Sequence, residues 1–336
     1  MLVLITGGAG YIGSTIVSAL LDAGHEPVIL DNLSTGRPEF VRGLPFYEGD
    51  IADRDLVRRI LADHPGLRSA VHCAGYVVVP DSVADPITYY RNNVSGTLGL
   101  VEALSEGGVT DLVFSSSASI YATGDELGVD ESAALAPASP YARTKSMLET
   151  ILADISAATG LRTLSLRYFN PIGADPQLRT GPPQPSPSHV LGRLVETSRR
   201  GEPFMITGAD YPTPDGTGIR DYVHVWDVAR AHVAAVEQFD RALGGQRHQA
   251  INLGTGRGTS VRELVTAFGQ VVGRPVVVSE APRRPGDVVG AFARCDRAAT
   301  LLDWKAELDV AAGVRDALAW SQRRAELLPD LAESSS

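Results

Sequence analysis

The chain has 336 residues, of which 44% are hydrophobic and 21% charged, and its formal net charge is −10. The length suggests about two globular domains, and an acidic surface argues against non-specific binding to nucleic acid, which needs basic surface. No run of about 18 apolar residues occurs, so no membrane-spanning helix is expected.

Taken in chain order, Leu2–Thr6 is predicted as a strand and Ser14–Ala23 as a helix closed by Gly24. Val28–Asp31 is the next strand. Asp53 is placed to cap a helix that carries Leu56, Val57, Ile60 and Leu61 at helical spacing. Ala70–Cys73, Asp111–Ser116 and Arg162–Phe169 are further strands, with helical patterns between them. Strands alternating with helices of 10–15 residues predict right-handed βαβ units and a parallel sheet. After about residue 170 the pattern changes. A proline-rich stretch over 175–189 is followed by shorter elements and by helical patterns at Val225–Phe239, Ser260–Val272 and Ala311–Leu328. The expected organisation is a doubly wound α/β domain over 1–170 and a smaller α/β substrate region over 171–330, with some C-terminal segments returning to the first.

The first strand runs directly into Thr6-Gly7-Gly8-Ala9-Gly10-Tyr11-Ile12-Gly13. Gly7, Gly10 and Gly13 sit where a tight turn, close approach of backbone to a pyrophosphate and close helix–strand packing each need a missing side chain. The helix that follows presents unpaired N–H groups and a positive dipole end to phosphate. Asp31 ends the second strand, where a carboxylate can bind both ribose hydroxyls of an adenosine and repel a 2′-phosphate, favouring NAD over NADP. Asp50 and Ile51, after the third strand, are placed to hold the adenine. A glycine-rich turn and an Asp-Asn turn are the unliganded readings of these segments. The strand-before, helix-after context favours the ligand-binding one.

A second motif is Tyr141-Ala142-Arg143-Thr144-Lys145, preceded by Ser139 and Pro140 as at a helix start. The i, i+4 spacing puts the phenol and the ammonium on one helix face. A phenol is a poor base at neutral pH, and nearby positive charge favours its ionised form. Upstream, Phe114-Ser115-Ser116-Ser117-Ala118-Ser119 places hydroxyls at the C-terminal edge of a strand, where ligands bind in open parallel sheets. Each motif alone is weak; the three in this order are far more specific.

These residues resemble the extended short-chain dehydrogenase/reductase family, with its Rossmann-type sheet. The resemblance narrows to its UDP-galactose 4-epimerase group through Leu30-Asp31-Asn32-Leu33, Gly49-Asp50-Ile51, Tyr90 with Asn92-Asn93-Val94, Arg167-Tyr168-Phe169-Asn170-Pro171, Asp210-Tyr211-Pro212-Thr213, Asp215-Gly216-Thr217-Gly218, Arg220-Asp221-Tyr222-Val223-His224 and Arg283-Arg284 with Gly286-Asp287. It implies that Tyr141 takes the proton from the sugar O4, that Lys145 tunes Tyr141 and holds the nicotinamide ribose, and that Ser117 hydrogen-bonds O4. Hydride leaves C4 for bound NAD and returns to the other face of the 4-keto sugar. NAD would lie on Gly7, Gly10, Tyr11, Ile12, Gly13, Asp31, Asn32, Asp50, Ile51, Ala74, Gly75, Asn92, Ser115, Tyr141, Lys145 and Tyr168. The UDP-hexose would lie on Ser117, Tyr141, Asn170, Arg220, Arg284, Asp287 and Ala291.

The chain departs from the group at Val77, where a lysine is usual, at Thr207, where an aromatic often meets the uracil, and at Ser188, near which an asparagine is common. At Ala291 the small side chain implies tolerance of UDP-N-acetylhexosamines. The strand-end segment lacks the carboxylates that related dehydratases and decarboxylases carry. The alternatives are a 4-epimerase of UDP-glucuronate or a pentose and, on the same fold, a non-catalytic NAD-binding sensor, disfavoured because Tyr141 and Lys145 are both kept. The seven histidines and Cys73 and Cys295 show no metal-ligand spacing, so no metal is expected, and a cytoplasmic protein is the simplest reading. His224 is read as structural and Asp125-Glu126 as an acidic loop. The resemblance implies a homodimer through Pro86–Leu104 and Tyr141–Ala158. The apolar stripe Leu148, Ile151, Leu152, Ile155 fits either that interface or the interior of the subunit.

Overall fold

The apolar run Leu2–Thr6 lies inside a seven-stranded sheet, buried on both faces as a parallel strand between helical layers should be. The computed structural model describes residues 1–122, 124, 126–185, 189–283 and 288–328. From one edge of the sheet to the other the strands are His248–Leu253, Arg162–Tyr168, Asp111–Ser115, Ser69–His72, Leu2–Thr6, Glu26–Asp31 and Phe46–Glu48. Every pairing is parallel. The chain builds outward from Leu2–Thr6 to Phe46–Glu48, then starts again on the other side at Ser69–His72. That reversal opens a crevice at the carboxyl ends of the two central strands, where ligands bind in this architecture.

The expected elements are present with small shifts of boundary. The second strand starts at Glu26, and the fourth is Ser69–His72. The first helix, Tyr11–Asp22, begins directly at the glycine turn, and Gly24 follows its end at φ +78°. Asp53 caps helix Arg54–Asp63 by accepting from the N–H groups of Asp55 and Leu56. Ile16, Val17 and Leu20 of the first helix are buried against the sheet and helix Val225–Glu237. Each aliphatic side chain covered in this way contributes roughly 1.5–3 kcal/mol of transfer free energy.

Segments from the second half complete the first layer. His248–Leu253 is the seventh strand of the main sheet, and Val225–Glu237 is one of its covering helices. Traffic also runs the other way. Gly128–Val129 joins a four-stranded sheet with Gly290–Ala293, Ile219–Arg220 and Thr259–Ser260. Asn170–Ile172 pairs in parallel with Tyr222–His224, and Phe204–Thr207 with Val278–Ala281. Helix Val261–Val272 opens on a full capping box, Ser260 with Glu263.

The run predicted as Pro86–Leu104 is interrupted: Pro86–Tyr89 leads into a π-helical turn, Tyr90–Ser95, and then into Gly96–Glu106. Such turns recur at functional sites, and this one carries Asn92 and Asn93. Leu148 and Leu152 of helix Pro140–Ala158 are fully buried in the subunit core. That part of the stripe is therefore interior packing.

Candidate active site

The glycine turn is shaped by backbone sterics. Gly7 sits at φ +72°, and a Cβ there would come within 2.6 Å of the Ala74 nitrogen on the neighbouring loop. A Cβ on Gly13 would stand 2.1 Å from the Gly7 carbonyl oxygen. Two turns, after Leu2–Thr6 and after Ser69–His72, are thus held together by the absence of side chains. Helix Tyr11–Asp22 starts at Gly10 with no side-chain cap, so its first-turn N–H groups face the crevice unengaged by a capping oxygen. The Tyr11 side chain donates its hydroxyl to the Gly173 carbonyl at 2.7 Å.

Asp31 is buried, with one carboxylate oxygen accepting from Ala9 N at 2.9 Å and the other from Leu33 N at 2.8 Å. Burial raises its pKa, and those two bonds oppose the rise. A carboxylate has about four lone-pair sites, so acceptor capacity remains for a diol. Asn32 donates to Asp50, and Asp50 in turn accepts from Ala52 N, which fixes the rim of the crevice. This cradle fits an adenine dinucleotide: free N–H groups, surface without Cβ atoms, and a carboxylate 22 residues from the turn it braces.

On the other side of the crevice the strand end Ser115–Ser117 faces helix Pro140–Ala158. Ser139 caps that helix through Ala142 N, and Pro140 opens it. Lys145 is buried and donates to the Ser115 carbonyl at 2.7 Å, with its Nζ 4.8 Å from the Phe114 ring centre. Burial lowers its pKa to about 8, against the opposing charges of Cys73 and Glu149. Burial raises the Tyr141 phenol, and a hydrogen bond with Ser117 opposes that. Ser117 also donates to Ser119 Oγ at 2.9 Å, so its single proton can serve either neighbour. The three residues singled out in the sequence for acid–base chemistry therefore converge at one sheet edge.

Other expected residues fall around this centre. Ala74 and Gly75 form the loop above Ser69–His72, braced by Asn93. The Asn93 side chain accepts from Tyr76 N and donates to Tyr76 O and to Thr144 Oγ1. Asn92 donates to Asn93, so the buried member of the pair is the structural one. Ile51 is buried beneath the rim. Ser115 Oγ lies 3.1 Å from Cys73 Sγ and 3.2 Å from His232 Nε2. Tyr168 follows on the next strand, its ring beside His232 and its ionisation strongly opposed by burial.

Asn170 is exposed in its short strand and donates its backbone N–H to the Asp221 carbonyl. Arg220 pairs with Ala291 across the adjacent sheet. Its guanidinium donates to the carbonyls of Ile219, Val288 and Val289, and among the described residues no carboxylate forms an ion pair with it. Asp221 is buried and ties this side together, accepting from Thr255 N, Thr255 Oγ1, Gly256 N and Ala293 N. Ala291 packs against the cluster of Tyr121, Val129, Phe169 and Ala293. Val77 is exposed at 56%, and Thr207 ends its strand beside Ala281. His224 caps helix Val225–Glu237 through Trp226 N and contacts Asp316, a structural role. Glu126 pairs with Arg294. Arg284, Asp287, Ser188 and Asp125 lie outside the described residues.

The sequence reading passed over a buried group beneath the site: Glu149, Arg167, Ser116, Tyr121 and Asn252. Only the i, i+4, i+8 series Tyr141, Lys145, Glu149 hinted at it.

The strand order, the crevice at its reversal and the glycine turn define a Rossmann-type dinucleotide-binding protein. The chain belongs to the NAD dependent epimerase/dehydratase family, whose model matches residues 3–254. It is 44% identical over 323 residues to a UDP-glucose 4-epimerase from Azospirillum brasilense, covering 95% of this chain and 92% of that one. Among solved structures it is similar to the UDP-glucose 4-epimerase of Stenotrophomonas maltophila with bound NAD and formylated UDP-arabinopyranose (TM-score 0.92, 38% identity, 97% of this chain and 99% of that one). It is also similar to that of Bifidobacterium longum in complex with NAD+ and UDP (TM-score 0.86, 34% identity, 98% and 100%). Among the described residues no helix is long and apolar enough to cross a membrane.

Proposed function

We propose that this protein is an isomerase that uses NAD to invert C4 of a UDP-hexose, UDP-glucose and UDP-galactose foremost. The observation that carries the reading is the meeting of Ser117, Tyr141 and Lys145 at the carboxyl edge of the sheet, beside the glycine turn. Bound NAD supplies the hydride acceptor at C4 and gives the hydride back. The chain's own residues do the rest. Tyr141 takes the O4 proton and returns it, a general-base role. Lys145 supplies positive charge beneath the site and holds a ribose. Ser117, which can turn its proton toward Tyr141 or Ser119, hydrogen-bonds O4. Gly7, Gly10, Tyr11, Ile12, Gly13 and Asp31 hold the dinucleotide, with Asn32, Asp50, Ile51, Ala74, Gly75, Asn92, Ser115 and Tyr168 around it.

Arg220 and Asn170 grip the diphosphate side of the substrate, together with Arg284, and Asp287 contacts the UDP-hexose elsewhere. A guanidinium fork suits phosphate oxygens, and among the described residues the Arg220 guanidinium is held by carbonyls alone, which leaves its charge available. Residues 1–170, with the returning segments Val225–Glu237 and His248–Leu253, form the NAD side, and most of 171–330 forms the nucleotide-sugar side.

The same reading makes the protein a cytoplasmic homodimer. Cys73 and Cys295 are free thiols, as in a reducing compartment. Val83, Ile87, Leu98 and Met147 are exposed on neighbouring helices, an apolar surface that a second subunit would cover.

Turnover of UDP-glucose in deuterated water tests the chemistry. Return of the same hydride leaves the product without deuterium at C4. Deuterium at C4 would replace this mechanism with proton abstraction from carbon.

A further inference from the structure

Helix Pro140–Ala158 meets the strand end at three successive serines. Tyr141 meets the Ser117 hydroxyl, Lys145 donates to the Ser115 carbonyl, and Glu149 accepts from Ser116 Oγ at 2.5 Å. Tyr141, Lys145 and Glu149 are four residues apart and so lie on one helix face. The first two do chemistry in the proposed reaction; the third is buried and touches no reacting group. Its carboxylate is fixed by Arg167, which donates Nε at 2.9 Å and an Nη at 2.6 Å. Arg167 also donates to the Tyr121 hydroxyl at 2.8 Å, and Tyr121 donates to Asn252 at 2.6 Å. The anchor therefore spans three strands of the main sheet and the helix. A buried ion pair is poor evidence of net stability, because desolvating two charges offsets their attraction. What this one supplies is location: it holds a carboxylate oxygen where Ser116, between the two serines of the site, donates to it.

We propose that Glu149 is a positioning residue, acting through Ser116 to hold Ser117 and the Ser115 carbonyl in register with Tyr141 and Lys145. The proposal rests on the catalytic reading above. Its discriminating variant is Ser116→Ala, which cuts the link and leaves the Glu149–Arg167 pair intact. A displacement of the acid–base groups by a fraction of an ångström predicts kcat roughly five- to twentyfold lower with KM within about twofold. A Tm near that of the wild type is expected alongside.

Hydrogen exchange of the Ala118–Tyr121 amides, followed by mass spectrometry of the NAD-loaded protein, reads the same link without turnover and should be faster in Ser116→Ala. Glu149→Gln is expected to lower both Tm and kcat. The double variant Glu149→Gln/Arg167→Met, which leaves no unpaired buried charge, should recover Tm but not kcat. Wild-type kcat and unchanged exchange in Ser116→Ala would overturn the proposal, as would recovery of kcat with Tm in the double variant. If the wild type fails to interconvert UDP-hexoses, the catalytic reading falls, and the exchange result still decides whether Glu149 holds the strand end.

Discussion

Lys145 reaches the Ser115 carbonyl at 2.7 Å from a position one helical turn below Tyr141, and burial brings its pKa down to about 8. Between that value and the ordinary lysine value of 10.5, the unfolded chain binds the proton that the folded chain has released. Stability contributed by this group therefore rises with pH across the interval. The stability of the wild type relative to Lys145→Met should increase from about pH 8 to about pH 10, as read by denaturant unfolding. Activity moves the other way. Loss of the ammonium removes the charge that favours the Tyr141 phenolate, so kcat should fall above about pH 8. A kcat flat to pH 10 would contradict this assignment.

The glycines separate folding from binding. Gly13→Ala drives a methyl group into the Gly7 carbonyl, 2.1 Å away, and should lower Tm markedly as well as release NAD. At Gly10 the added Cβ has 3.4 Å to the same oxygen. Gly10→Ala should fold with Tm within a few degrees of wild type yet lose NAD, because the methyl group occupies the approach to the pyrophosphate. Thermal unfolding with cofactor analysis after denaturation distinguishes the two.

Asp31 predicts the cofactor preference. Asp31→Ser removes the buried carboxylate that also accepts from Ala9 and Leu33. NADH affinity should drop by roughly tenfold or more while NADPH affinity rises. Fluorescence titration of the cofactor-stripped protein measures both. An unchanged NADH affinity would remove Asp31 from the ribose site.

Arg220→Met should raise KM for the UDP-sugar by roughly 10–100-fold while leaving kcat within a few-fold, the pattern of a binding contact equal in ground and transition states. The inhibition constant of UDP should rise in parallel. A loss confined to kcat would place Arg220 in the chemistry instead.

Ala291 lies opposite Arg220 and packs against the cluster of Tyr121, Val129, Phe169 and Ala293. Its small side chain predicts turnover of UDP-N-acetylglucosamine. Ala291→Tyr should reduce that turnover at least about tenfold with UDP-glucose turnover nearly unchanged. Retained acetylhexosamine activity in the variant would contradict the role.

Much of this site could be read along the chain because its chemistry is local in sequence. Gly7 to Gly13 form one turn, Tyr141 and Lys145 one helical face, and Ser115 to Ser117 one strand end. What escaped the reading joins distant residues. Asn93 braces the loop at Tyr76 and reaches Thr144, 51 residues away. Glu149 meets Ser116, 33 residues away, and Asp221 gathers Ala293, 72 residues away. No periodicity encodes such pairings. The return of His248–Leu253 to the main sheet was also not visible as a pairing, since a buried strand shows its partner only after folding. The stripe Leu148 and Leu152 was ambiguous because an apolar helix face reads the same whether a sheet or a second subunit covers it.

The central claim is tested most directly by incubating the purified protein, with no NAD added, with UDP-glucose and resolving the C4 epimers by chromatography. The account predicts formation of UDP-galactose, abolished in Tyr141→Phe and sustained by cofactor that co-purifies. No conversion, even after NAD is supplied, would contradict it.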